Sequence, residues 1–87
     1  MELKDTVKLM ESADYKERFL AEYWQTRIRY QKLKKMIIAY EARKLSFVPT
    51  CPVEVLRHQR NAMLEYLAVL ETRAAFEKVD LDETGEE

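Results

Sequence analysis

Apolar and aromatic residues recur every three or four positions along most of this chain, which is the spacing of one face of an α-helix. In the first half they predict a long helix over residues 14–44, a stretch without glycine or proline. In the second half they predict a helix over residues 52–78. Because an amphipathic helix needs an apolar surface to pack against, we expect the two to form an antiparallel hairpin. The face of the first helix carries Phe19, Tyr23, Thr26, Tyr30, Leu33, Ile37 and Tyr40.

Two prolines, Pro49 and Pro52, separate the two helical patterns. Proline lacks an amide donor and disfavours helical geometry in the residue before it. Residues 45–51 should therefore form the turn of the hairpin. A turn centred in this segment places Arg73 of the second helix opposite Tyr23 of the first.

The segment before the long helix has Leu3, Val7 and Met10 at helical spacing and predicts a short helix over residues 2–11. An isolated helix of about ten residues is marginal in water. We therefore expect it to dock on the hairpin or on a neighbouring subunit, and we assign residues 1–79 to a single all-α domain.

Both long helices have apolar arcs that are wider than one partner helix covers. On the first, Leu20, Trp24 and Ile38 belong to a second seam about 100° from the main face. Uncovered apolar surface favours association between copies of the chain, so we expect the hairpins to pack into a homo-oligomeric bundle. The arc of the second helix includes Val55, Leu56, Ala62, Met63, Tyr66, Leu67, Val69, Leu70, Ala74 and Phe76.

The formal net charge of −1 conceals an uneven distribution of charge. Residues 1–79 carry 15 basic and 11 acidic side chains, or +4, whereas residues 80–87 hold five acids. We expect residues 80–87 to form a disordered acidic tail. The basic residues in 27–35 are compatible with an anionic partner, although charged residues around a helix more often serve solubility.

The sequence offers little support for catalysis. His58 has no nucleophile pattern beside it, and one histidine with the single Cys51 cannot build a structural zinc site within one chain. No glycine-rich phosphate loop is present. We therefore expect a protein that is not an enzyme and that has no catalytic residue, cofactor or metal.

Two further features concern the cellular compartment. A single cysteine excludes an intrachain disulfide and fits a reducing environment. The longest apolar run, residues 36–40, is too short to span a bilayer. These features predict a soluble cytoplasmic protein with no membrane partner.

Aromatic and basic side chains concentrate toward the open end of the hairpin. Aromatic faces stack on nucleobases, and arginine forks match phosphate oxygens, so this combination suits a nucleotide. The candidate ligand-binding residues are Tyr15, Arg18, Tyr23, Trp24, Arg27 and Arg73.

Each of these residues also has a structural interpretation. Arg73 falls within an apolar stripe, where its charge needs a carboxylate such as Glu22 or Glu77, contact with solvent, or an anionic ligand. Tyr15 and Tyr23 would equally serve as core residues, and Trp24 would serve as an anchor between subunits.

The helical pattern resembles a group of small bacteriophage hairpin proteins, which are similar to the phage anti-CBASS sponges. The resemblance implies an oligomer that sequesters cyclic di- or trinucleotide signals in the host bacterial cytoplasm, so that a defence effector is not activated. It also implies ligand pockets between subunits, with Tyr15 or Trp24 as the stacking residue and Arg18 or Arg27 contacting phosphates. The resemblance covers residues 15–76 and rests on Tyr15, Lys16, Glu17, Arg18, Glu22, Tyr23, Lys32, Leu33, Leu56, Gln59, Ala62, Met63, Tyr66, Leu70 and Arg73.

Two other functions fit the same residues. A helical protein-interaction module, acting as an inhibitor of a host protein or as a phage assembly factor, would use the seam formed by Leu20, Trp24 and Arg27. Nucleic-acid binding through residues 27–35 ranks last, because this basic run spreads around the helix and no groove-reading motif accompanies it.

Overall fold

A computed structural model describes residues 1–82. In this part of the chain, a 3-10 turn, Leu3–Thr6, leads into helix α1 (Val7–Met10). Two long helices follow, α2 (Tyr15–Glu41) and α3 (Val53–Glu77), and no strand occurs among the described residues. The all-α class and the packed pair of long helices are thus confirmed. The described part is elongated, with extents of 43 × 23 × 23 Å.

Helix α2 has a clear signal at each end. Its N-terminal cap is Asp14, whose side chain accepts a hydrogen bond from the amide of Lys16 at 3.0 Å. At the other end Arg43 adopts a left-handed backbone with φ of 60°, and the amide of Lys44 donates to the carbonyl of Ala39 at 2.8 Å. This pattern is a Schellman motif, and it ends the helix three residues before the predicted residue 44.

The earlier end of α2 changes the pairing of the two long helices. The connection begins at residue 42, so its midpoint moves toward the N-terminus. Tyr23 lies opposite Glu71, to which its hydroxyl donates at 3.2 Å. Arg73 lies instead over the ring of Phe19. The expected pairing of Arg73 with Tyr23 is therefore displaced by two to four residues, which is about half a turn to one turn of helix.

The hydrophobic core lies between α2 and α3 at the open end of the hairpin. Leu70 is fully buried at its centre, and Ile37 and Val53 are buried nearer the turn. The 3-10 turn and α1 dock on their own hairpin, where buried Thr6 accepts a hydrogen bond from Gln25 at 2.9 Å. The core cluster contains Phe19, Tyr23, Trp24, Ile28, Leu67, Leu70, Ala74 and Val79.

The chain continues past α3 onto this core. Lys78 adopts a left-handed backbone with φ of 60°, and the amide of Val79 donates to the carbonyl of Ala74 at 2.9 Å. This second Schellman motif turns Val79 into the core, with Leu81 packed beside it. Leu81, which belongs to the segment expected to form a disordered acidic tail, therefore contacts the core. Residues 83–87 of that tail lie outside the described residues.

Candidate functional site

Tyr23, Trp24 and Arg27 form one compact group on α2. The rings of Tyr23 and Trp24 meet edge to face, with centroids 5.5 Å apart and planes at 87°. The guanidinium carbon of Arg27 lies 4.8 Å from the centroid of the Trp24 ring and 5.9 Å from that of Tyr23. Positions 23, 24 and 27 occupy neighbouring parts of a helix surface, so the spacing brings the cation over both aromatic faces.

The Tyr23 hydroxyl links this group to α3. It accepts a hydrogen bond from Arg27 Nη1 at 3.2 Å and donates one to Glu71 Oε2 at 3.2 Å. Burial raises the pKa of the Tyr23 phenol; Arg27 opposes this change and Glu71 reinforces it. The phenol therefore stays protonated at neutral pH and holds a cation and a carboxylate on either side.

A cleft of about 320 Å³ opens beside this group, between α2 and α3. Its lining combines tyrosine side chains from α2 with apolar side chains from α3. It also includes the positive charge of Arg27 and the negative charge of Glu71. Arginine has five N–H donors, and Arg27 uses one of them in a hydrogen bond among the described residues. The cleft is lined by Tyr23, Arg27, Tyr30, Gln31, Leu64, Leu67, Ala68 and Glu71.

Trp24 is covered by the two ends of the described chain. Its indole Nε1 donates to the carbonyl of Leu81 at 3.2 Å, and its side chain is 7% exposed. Met1 and Leu3 pack against the same core cluster. Trp24 thus packs against Arg27 inside the fold. Tyr23 is buried as well, so the accessible aromatic surface of the cleft comes from the half-buried Tyr30.

Tyr15, Arg73 and Glu77 form a second group. The hydroxyl of Tyr15 donates to Glu77 Oε1 at 2.6 Å and accepts from Arg73 Nη2 at 2.8 Å. Arg73 Nε also donates to Glu77 Oε2 at 3.3 Å, and the Arg73 guanidinium carbon lies 4.9 Å from the ring centroid of Phe19. Glu77 was one of the two carboxylate partners expected for Arg73.

The hydrogen bonds of this second group shift two pKa values in opposite directions. Donation to Glu77 raises the pKa of the Tyr15 phenol. Acceptance of the same hydrogen bond lowers the pKa of the Glu77 carboxyl, and Arg73 adds to that effect. The charges of Arg73 and Glu77 therefore neutralise each other on the surface of the hairpin.

Arg18 lies apart from both groups. Its Nη1 donates to the backbone carbonyl of Ser12 at 2.9 Å, which ties the start of α2 to the segment before it. Tyr15 and Trp24 are nine residues apart, which places them on opposite sides of α2. The six candidate residues therefore fall into three places on the chain, and a shared role in ligand binding stays a prediction.

Several residues of the cleft were not among the sequence candidates. Tyr30 lies seven residues after Tyr23, a spacing that already placed it on the same helix face. Glu71 was missed because its position depends on the pairing of the helices, and it lies opposite Tyr23 where the sequence predicted Arg73, two residues further along α3.

A larger cleft of about 710 Å³ lies at the turn end of the hairpin. One of its two arginines, Arg57, is already paired, with Nη2 3.1 Å from Glu41 Oε2 and a second carboxylate, that of Glu54, 3.7 Å from Nη1. The lining residues are Tyr40, Glu41, Arg43, Leu45, Phe47, Val48, Pro49 and Arg57.

Residues 1–82 contain neither a candidate metal-binding cluster nor a candidate membrane-spanning helix. No group of three or more histidine, cysteine, aspartate or glutamate side chains in this range has the arrangement needed to hold a metal ion. None of the helices in the same range combines the length and the apolar character that crossing a membrane requires.

Comparison with known protein families assigns the helical hairpin to one of them. The Sequestin family model matches residues 13–76, from just before the α2 cap to the last turn of α3. This chain belongs to the Sequestin family. The match confirms the resemblance to the phage sponges, over nearly the same residues. No curated protein matches the chain, and no solved structure matches it.

Proposed function

We propose that this Sequestin is a phage protein that binds cyclic oligonucleotide second messengers in the host cytoplasm and sequesters them without turnover. A bound messenger would no longer reach the defence effector that it activates. Two observations support the proposal: membership of the family, whose name denotes sequestration, and the cleft that carries Arg27 beside Tyr23 and Tyr30.

The cleft offers a partner for each part of a nucleotide. Arg27 has N–H donors for a phosphate beyond the one that it uses among residues 1–82, and its position over Trp24 fixes the direction of the fork. Tyr30 offers a half-buried ring on which a base can stack. The carboxylate of Glu71 accepts hydrogen bonds, so it would read a base edge that carries N–H donors.

The size of the cleft favours a site shared between subunits. Small-molecule sites usually measure about 300–1,000 Å³, so a cleft of about 320 Å³ is at the lower limit. A ligand with two or three nucleotides would extend beyond it. We therefore propose a homo-oligomer in which a second subunit covers the rest of the ligand, and in which Tyr15, Arg18 or Arg73 of that subunit completes the site.

The experiment is a calorimetric titration of cyclic di- and trinucleotides into the wild type and two variants. Arg27→Ala removes the proposed phosphate contact. Lys32→Ala is the matched control, because it removes one positive charge from the same helix about 140° away from Arg27. A charge-assisted hydrogen bond contributes ~1.5–3 kcal/mol, so Arg27→Ala should weaken binding by about 10- to 100-fold.

The outcomes separate the site from the function. Lys32→Ala should bind as the wild type does, and both variants should keep the helical circular dichroism of the wild type. Equal affinity of Arg27→Ala and the wild type would reject the cleft as the phosphate site. Absence of binding by the wild type across the panel would reject the sponge function itself.

The alternative function, a protein-interaction module, has less support, because two residues of the surface predicted for it are covered in the structure. That seam depended on Leu20, Trp24 and Arg27 being available together. Trp24 is 7% exposed beneath Leu81, and Leu20 packs against the core cluster. A protein partner would reach mainly Arg27, which alone is a poor anchor for an interface.

A further inference from the structure

A stripe of apolar residues runs along the side of α3 that faces away from the core. Phe76 is 84% exposed, and Val55 and Val69 are 53% and 52% exposed. Leu70 and Ala74, their neighbours in sequence, are buried against α2. We define the α3 stripe as Val55, Ala62, Val69 and Phe76.

The α3 stripe has the pattern of a helix interface. Val55, Ala62, Val69 and Phe76 are spaced by seven residues, which keeps them on one line about 30 Å long. None of the residues of the stripe carries a charge, and charged residues are depleted from the centres of protein interfaces. A phenylalanine left this exposed on a helix needs a partner that the described chain does not supply.

We propose that the α3 stripe packs against the α3 stripe of a second copy in antiparallel orientation. This interface is separate from the one proposed over the cleft, because Val69 and Phe76 lie about 140–160° around α3 from Glu71, which lines the cleft. An antiparallel pair sets the large Phe76 against the partner's Val55 and the small Ala62 against the partner's Val69. A parallel pair would instead set Phe76 against Phe76 and leave a gap between two alanines.

The charge of α3 favours the same orientation. Its first half, residues 53–64, carries Glu54, Arg57 and Arg60, whereas residues 65–77 carry three glutamates and one arginine. Antiparallel packing sets the basic half of each helix beside the acidic half of the other, and it also opposes the two helix dipoles.

The exposed area is of the right order for the core of such an interface. Aromatic side chains bury ~150–250 Å² each, so the partly exposed stripe offers on the order of 400 Å² per subunit. A stable interface buries ~800 Å² per partner, and the polar residues that flank the stripe would supply the remainder.

The test uses sedimentation velocity on single and double charge variants. Val55→Lys and Phe76→Glu each place an unpaired charge at the proposed contact, and each should weaken association by about tenfold or more. In the double variant, antiparallel packing brings Lys at position 55 against Glu at position 76 of the other copy, twice per pair. Association should therefore recover at low salt and weaken again at ~1 M salt.

The control is Ala75→Glu, which adds the same charge next to Phe76 but about 100° away around the helix. It should associate as the wild type does, and circular dichroism should show that every variant folds. A monomeric wild type at ~100 µM, a concentration at which a useful interface is populated, would overturn the proposal. Single variants that associate as the wild type does would overturn it too, and a double variant that stays dissociated would overturn the antiparallel pairing.

The same samples separate this inference from the sponge function. A wild type that associates but binds no cyclic nucleotide rejects the sponge function and leaves the interface standing. A wild type that binds the ligand while Phe76→Glu associates normally rejects the interface and leaves the sponge function standing.

Discussion

Tyr15 and Glu77 share one hydrogen bond, and its effects on their pKa values have consequences for stability. The phenol proton is held more tightly in the folded state, because the hydroxyl donates to Glu77. Its contribution to stability is present below the ordinary tyrosine pKa of about 10 and is lost as pH rises through the raised folded-state value. The contribution of Glu77, whose pKa is lowered, is present above about pH 4.3 and is lost as pH falls.

We predict that Tyr15→Phe flattens the pH dependence of the melting temperature. The variant should lose stability relative to the wild type near pH 7, and this difference should shrink above about pH 10 and below about pH 4. Tyr40→Phe is the control, because the Tyr40 hydroxyl has no hydrogen bond among the described residues. A constant difference between Tyr15→Phe and the wild type across the whole pH range would contradict the prediction.

The sequence predicted some residue roles and missed others for definite reasons. A guanidinium in an apolar stripe needs a partner, which led to Glu77 as one choice for Arg73, and the structure shows that pair. Trp24 was considered for stacking or for a subunit anchor. Its cover, the Leu81 carbonyl, is 57 residues away, and no local pattern reveals a contact of that separation.

At the scale of the elements, the spacing of apolar residues every three or four positions was sufficient to predict the two long helices. Helix α3 begins at Val53 and ends at Glu77, within one residue of the range predicted at each end. The pairing of the helices was less predictable, because it depends on where α2 ends. Arg43 in a left-handed conformation sets that end, and this conformation usually calls for glycine, which the sequence lacks there. Glu71 could not be assigned to the cleft for the same reason.

We predict that Arg43→Gly is more stable than Arg43→Ala by about 1 kcal/mol. Both variants remove the same charge and the same long side chain. They differ in the Cβ atom, which strains a backbone with φ of 60°. Midpoints of urea unfolding measure the difference, and the same comparison at Lys78 should agree in sign. If the alanine variant is the more stable at both positions, the left-handed caps are misassigned.

At the scale of the whole molecule, the hairpin is closed by both ends of the described chain. The sequence left open whether residues 2–11 dock on their own hairpin or on a neighbour, and Thr6 with Gln25 shows the first. Apolar spacing in the last described residues is too short to form a periodic signal, so the docking of Val79 and Leu81 went unpredicted. These contacts enlarge a core that is small for a stable domain.

We predict that truncation after Lys78 destabilises the fold by about 2 kcal/mol or more. Val79 is 8% exposed, and full burial of a valine side chain contributes ~1.5–3 kcal/mol. Truncation after Asp82 is the control, since it keeps Val79 and Leu81, and it should melt as the full chain does. Chemical denaturation of the three proteins compares them, and equal midpoints would show that the docked residues add nothing.

The position of Trp24 gives the molecule a built-in optical signal. The chain has one tryptophan, and its indole lies between the Arg27 guanidinium and the Leu81 carbonyl. Release of the C-terminal residues would admit water to the ring and move its emission to longer wavelength. Occupation of the cleft would change the cation above the ring and alter the quantum yield. Intrinsic fluorescence would thus report two separate events without any label: closure of the chain ends and, if the proposed site is right, entry of a ligand.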